Sequence, residues 1–107
     1  NGDRRGVLLL ENQARVLREK DILRPNEATT PVRRVYFAIM QMYLLGEIDG
    51  TAYTQAAEAI ASLLSTVTHE DQRAGILEIS ADVAAADLYR ALSRCRKMMT
   101  AETAGFN

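Results

Sequence analysis

The stretch TPVRRVYFAIMQMYLL, residues 30–45, decides how the rest of the chain is arranged. Thr30 followed by Pro31 is a helix start. The threonine side chain can accept a bond from an early helical N–H, and proline at the first helical position gives up a donor that has no partner there anyway. Behind it, Val32, Val35, Tyr36, Ile39, Met40 and Tyr43 recur at the spacing of one helix face. Phe37, Ala38, Leu44 and Leu45 carry the apolar surface well past a single stripe, which predicts a central helix with neighbours on more than one side.

Toward the C-terminus, Gly46 and Gly50 bracket a turn. Residues 51–67 then place Tyr53, Ala56, Ala57, Ile60, Leu63, Leu64 and Val67 in helical register, with alanines small enough for close helix approach. Thr68-His69-Glu70-Asp71 resembles a capping box, opening a helix that carries Ile76, Leu77, Ile79 and Val83. Asp87 caps a last helix with Leu88, Ala91, Leu92, Cys95 and Met99.

Toward the N-terminus the pattern changes. Residues 24–30, with Pro25 and a threonine pair, form a linker. Before it, Val7-Leu8-Leu9-Leu10 and Arg15-Val16-Leu17-Arg18 flank an Asn-centred turn and predict a β-hairpin. Pairing across Asn12-Gln13 puts Val7, Leu9, Glu11, Ala14, Val16 and Arg18 on one face and Leu8, Leu10, Arg15 and Leu17 on the other. Both faces are partly apolar, so the hairpin needs cover on both. Asn1-Gly2-Asp3 is a further hairpin turn whose incoming strand would precede the first residue. The expected fold class is therefore α+β: a short N-terminal β part over residues 1–23, then a bundle of about four α-helices over residues 31–100 and a tail from 101 to 107, in a single domain.

Composition restricts what such a domain can do. Apolar residues make up 48% of 107 and charged residues 25%, the balance of a soluble globular chain. A single cysteine, Cys95, excludes an internal disulfide, and a single histidine, His69, excludes a histidine metal cluster. The longest charge-free apolar run, Val35 to Gly46, is 12 residues, against about 20 needed to cross a bilayer. With no basic-then-apolar leader, a cytoplasmic location is expected. No cofactor, metal or small-molecule substrate is expected. Cys95 sits in core register, and Glu47, Asp49, Glu70 and Asp71 fall where acids complement helix starts, so nothing is arranged as a catalytic site.

The net charge of −1 conceals an uneven distribution. Residues 1–34 hold eight bases and five acids, residues 35–89 one base and eight acids, and residues 90–107 four bases and one acid. Basic ends flank an acidic middle, a pattern suited to a polyanion or to self-association. The candidate RNA contacts are Arg4, Arg5, Arg15, Arg18, Lys20, Arg24, Arg33 and Arg34. Arg33 and Arg34 are the most informative, because bases in the first helical turn oppose the dipole yet join free N–H groups in drawing an anion. Arg90, Arg94 and Lys97 line one edge of the last helix. Candidate oligomer or partner contacts are Leu8, Leu10, Leu17, Phe37, Leu44 and Leu45.

The run LENQARVLREKDI (residues 10–22) and EATTPVRRVYF (residues 27–37) resemble the FlbT family of flagellum biosynthesis regulators. Sparser matches follow at Leu77-Glu78-Ile79-Ser80, Tyr89 to Leu92 and Cys95-Arg96-Lys97, while residues 46–75 carry no such match. The resemblance implies a non-enzymatic regulator that associates with the 5′ untranslated region of flagellin messenger RNA and represses translation or promotes decay, with another flagellar regulator such as FlaF as partner. The alternative is an adaptor or oligomeric module that acts on messenger RNA only through a partner protein. The β part offers no aromatic residue on which a single-stranded base could stack, so its bases would contact phosphates rather than read sequence.

Overall fold

The computed structural model describes residues 17–47 and 50–104, the side chains of residues 103 and 104 excepted. Four helices carry these residues: α1 (Pro31–Leu45), α2 (Thr51–Thr66), α3 (Glu70–Ala84) and α4 (Leu88–Ala104). α1 begins as its sequence predicts, with Thr30 Oγ1 accepting the Arg33 N–H at 3.2 Å and Pro31 at the first position. It ends at Gly46, whose φ of 73° turns the chain so that its own N–H and that of Glu47 both reach the Met42 carbonyl.

Two pairs of contacts set the helix directions. Thr30 at the start of α1 meets Glu102 in the last turn of α4, and Tyr43 near the end of α1 meets Tyr89 at the start of α4. These two helices are therefore antiparallel. Asp71 and Gly75 at the start of α3 share a cavity with Met98 and Glu102 near the end of α4, so that pair is antiparallel as well, and Arg94 ties it through Glu78 and Asp82. The result is an up-down-up-down bundle in which α1 packs most closely on α2 and α4, and of the four neighbouring pairs α2 and α3 touch least.

The core explains why α1 is central. Val32, Val35, Tyr36, Ala38, Ile39, Met40 and Met42 are all buried, on a surface too broad for one neighbour. The partners bury narrower stripes: Ala52, Ala56, Ile60 and Leu63 on α2, and Ile76, Ile79 and Val83 on α3. On α4, Leu88, Ala91, Leu92 and Cys95 are buried. Ala56 is buried as its register predicts and Ala52 joins it, whereas Tyr53 and Ala57, expected on the same face, are exposed.

The expected α+β class is corrected here: among the described residues there is no strand, and the fold is an all-helical bundle. The described end of the expected hairpin, Leu17 and Arg18, leads into a 3-10 turn at Glu19–Asp21. Leu17 joins the helical core instead of a sheet face. A lone two-stranded hairpin is marginal in water, and the bundle gives Leu17 a larger apolar surface. Residues 7–16 of that hairpin, and the turn at residues 1–3, lie outside the described residues. The linker holds a second 3-10 turn, Pro25–Glu27, in which Glu27 Oε1 accepts the Arg24 N–H at 2.9 Å.

Two local expectations also change. α4 continues to Ala104, past the expected start of a tail at 101. The residue ahead of α3 is His69, with no side-chain cap, so Thr68 forms no capping box. Asp87 supplies its carbonyl to the Ala91 N–H at 3.1 Å, while its own N–H closes the end of α3 on the Asp82 carbonyl at 2.8 Å.

Candidate nucleic-acid interface

Segment 17–28 lies across α1 and α4, and a small set of polar contacts holds it there. The Tyr36 hydroxyl donates to the Asp21 carbonyl at 2.5 Å, and the Leu23 N–H donates to Met40 Sδ at 3.3 Å. Arg96 of α4 closes the arrangement, with Nη1 3.5 Å from the Tyr36 hydroxyl and Nε 3.9 Å from the Asp21 carboxylate. Its guanidinium also lies over the Tyr89 ring, 5.6 Å from the centroid. Burial raises the Tyr36 pKa, and Arg96 pulls against that shift.

This anchoring brings together residues that are distant from each other in the chain. Lys20, Arg24 and Arg33 line one polar groove of about 450 Å³, with Ile22, Leu23 and Met99 as its apolar part. Glu19 and Glu27 line it too, so three cations face two carboxylates. The Arg33 Nε is buried and has no hydrogen-bond partner. A buried donor normally has an acceptor, and this nitrogen has none among the described residues.

The remaining basic candidates separate. Arg18 pairs with Asp21 at 3.4 Å. Arg34 is exposed on α1, its backbone N–H on the Thr30 carbonyl. Arg4, Arg5 and Arg15 lie outside the described residues. The anion expected at the α1 N-terminus is supplied from within: Thr30 Oγ1 donates to Glu102 Oε1 at 3.1 Å. On α4, Arg90 and Lys97 are exposed, whereas Arg94 binds Asp82 at 2.6 Å and Glu78 at 2.8 Å. The hydrogen bond to Asp82 raises the Arg94 pKa against a smaller opposing effect of desolvation. Part of the acidic middle thus neutralises part of the basic C-terminal end inside one chain.

Of the candidate partner contacts, Leu17 is in the core and Phe37 is half-buried against it. Leu44 and Leu45 are 39% and 62% exposed at the end of α1. Leu8 and Leu10 lie outside the described residues. Sequence reasoning missed the Asp21–Tyr36–Arg96 anchor, because Tyr36 sits in core register and nothing in its spacing indicates what its hydroxyl meets. It also missed the exposed Ile22, Leu77 and Tyr89.

Cys95 is fully buried and its thiol is pushed up to about 12, mainly by desolvation, so it is no nucleophile near neutral pH. No cluster of three or more His, Cys, Asp or Glu suited to a metal occurs among the described residues. No helix among them is long and apolar enough to cross a membrane.

Taken together, the described residues form a four-helix bundle with an open groove lined by ionic side chains beside α1. The chain belongs to the FlbT family. The family model described as "Flagellar protein FlbT" matches residues 1–105. The chain is 44% identical over 102 residues to the probable flagellum biosynthesis repressor protein FlbT of Caulobacter sp. (strain K31), covering 95% of this chain and 78% of that protein. It is 41% identical to the flagellum biosynthesis repressor protein FlbT of Caulobacter vibrioides (strain ATCC 19089 / CIP 103742 / CB 15), covering 95% and 72%. The probable repressor of Rhodopseudomonas palustris (strain TIE-1) is 32% identical over 110 residues, covering 95% and 79%. No solved structure matches the chain.

Proposed function

We propose that this chain is a repressor of flagellum biosynthesis that binds the 5′ leader of flagellin messenger RNA and acts without catalysis. The names of its relatives support the regulatory part of this reading. The observation that carries the RNA part is the groove lined by Lys20, Arg24 and Arg33. A phosphate oxygen is the ligand that three converging cations favour, and arginine suits it through its fork of donors. The groove has no aromatic lining, so it grips phosphates, and the choice of sequence comes from elsewhere or from a FlaF-like partner.

The test is a titration of labelled flagellin leader RNA at several salt concentrations, with Lys20→Glu, Arg24→Glu and Arg33→Glu alongside the parent chain. Affinity falls steeply with salt, and each reversal reduces the slope of log K against log salt by about 1. An affinity that is flat with salt, or unmoved by all three reversals, overturns the reading.

A second reading, an adaptor that self-associates or binds another flagellar regulator, is favoured by Leu44 and Leu45 standing exposed side by side at the end of α1. Light scattering of the parent chain and of Leu45→Lys separates the two: only the adaptor reading expects the substitution to dissociate a complex.

A further inference from the structure

A second cavity, of about 570 Å³, lies at the end of the bundle where α1 and α3 begin and α2 and α4 finish. It sits beside the neighbouring helices that touch least, α2 and α3. Val32, Leu63, Val67 and Met98 supply its apolar floor, and Asp71 and Glu102 are its charged residues; no lysine or arginine lines it. Its volume is that of a small-molecule pocket, about 300–1,000 Å³, which is room for a few apolar side chains of a docked segment.

Gly75 gives this cavity its meaning. It lies inside α3, in the wall of the cavity, where glycine weakens a helix relative to alanine. A Cβ built on it would meet nothing within 4 Å. Neither a positive φ nor close internal packing therefore accounts for the missing side chain. What the glycine does is leave a bare stretch of helix that a second backbone can approach closely.

We propose that this cleft receives an amphipathic helix of a partner protein, with apolar side chains seated on Leu63, Val67 and Met98 and lysine or arginine side chains facing Asp71 and Glu102. A helix is the fitting occupant because the walls are themselves helix ends and an apolar face spaced at i, i+3 and i+4 reaches such a floor. A basic helix fits because both charges at the cleft are negative. The cleft is distinct from the groove of Lys20, Arg24 and Arg33, so this inference stands independently of the RNA reading.

The probe is a synthetic amphipathic peptide of about 16 residues, leucine on one face and lysine on its flanks, beside the same peptide with glutamate for lysine. Amide NMR shifts on titration into the full chain locate the site. The lysine peptide moves residues 63–67, 71–75 and 98–102 and binds at least about tenfold more tightly than the glutamate peptide. Gly75→Ala raises the melting temperature, since it improves helix propensity without a clash, and yet weakens the lysine peptide several-fold. Asp71→Asn narrows the difference between the two peptides. Equal binding of both peptides, absence of saturable binding, shifts centred elsewhere, or a Gly75→Ala chain that binds as tightly as the parent overturns the proposal. Shifts in the same residues on concentrating the chain alone also overturn it, by naming a second copy as the occupant.

Discussion

Thr30 and Glu102 stand 72 positions apart in the chain, and the hydroxyl of the first donates to the carboxylate of the second at 3.1 Å while accepting the Arg33 N–H at 3.2 Å. One threonine thereby caps α1 and ties its start to the last turn of α4. It also brings a carboxylate to the positive end of the α1 dipole, the place where the sequence alone expects an external anion. Thr30→Ala removes both bonds and is expected to cost about 1–2 kcal/mol, with Thr30→Ser restoring most of it. Urea unfolding monitored by circular dichroism measures this. A Thr30→Ala chain as stable as the parent would show that the cap contributes nothing.

The turn between α3 and α4 carries a residue that glycine would suit better. Ala86 has a φ of 62°, and it donates to the Val83 carbonyl at 3.0 Å while Asp87 donates to the Asp82 carbonyl at 2.8 Å. This is a left-handed helix end with a Cβ at its least comfortable position. Ala86→Gly is expected to stabilise the chain by about 0.5–1 kcal/mol, because relief of the Cβ contact exceeds glycine's greater entropy in the unfolded chain. The urea midpoint should rise at unchanged slope; a fall would argue against the strain.

Cys95 predicts an alkaline loss of stability. Its thiol is held neutral in the fold, up to about 12 against an ordinary value near 9, so above pH 9 the unfolded chain releases a proton that the folded one keeps. The contribution is present in full below that ordinary value and is lost as pH rises from there through about 12. Burial raises the Tyr36 phenol in the same sense, at higher pH. Unfolding free energy measured between pH 8 and 11 should therefore decline, and Cys95→Ala should show a shallower decline. The same burial predicts that a thiol reagent at pH 8 labels the chain only in denaturant; fast labelling of the native chain would contradict it.

Removing the Tyr36 hydroxyl should loosen segment 17–28 without dissolving the bundle. Tyr36→Phe leaves the ring in the core but takes the donor from the Asp21 carbonyl and the acceptor from Arg96. The expected cost is about 1 kcal/mol. Hydrogen exchange at the Leu23 amide, whose bond to Met40 Sδ depends on that segment staying docked, should speed up, while amides at the centre of α1 keep their protection. Equal acceleration throughout would mean that Tyr36 supports the whole core rather than this anchor.

Removing side-chain volume at the centre should be far more damaging. Ile39 is fully buried on the helix that packs against two others, and Ile39→Ala is expected to cost about 3–4 kcal/mol. A chain of this size has little stability in reserve, so the thermal midpoint should drop sharply.

The helical part was legible because its signals are local. Thr30 with Pro31, the 3.6-residue spacing from Val32 to Tyr43, and Gly46 each act within a turn or two, and α1 starts and stops where they say. The described end of the expected hairpin was misread for a related reason: Leu17 follows a strand-like apolar pattern, but a short apolar run takes its conformation from what it packs on, and Leu17 packs on helices. The capping box at Thr68 failed by one position, since α3 starts after His69.

The site divides along the same line. That bases crowd residues 1–34 is a property of the sequence alone. Which of them share a groove is not: Lys20, Arg24 and Arg33 converge because Asp21 is held by Tyr36 and Arg96, while Arg18 and Arg94 are drawn off by carboxylates. Spacing within one helix follows from covalent geometry and a 3.6-residue turn, so the sequence by itself determined the four helices, the central place of α1 and the absence of a histidine or cysteine cluster. Contacts between elements depend on helix directions and on side-chain reach across gaps of up to 72 residues, so only the tertiary structure decided the Thr30–Glu102 tie, the orphaned Arg33 nitrogen and the open wall at Gly75.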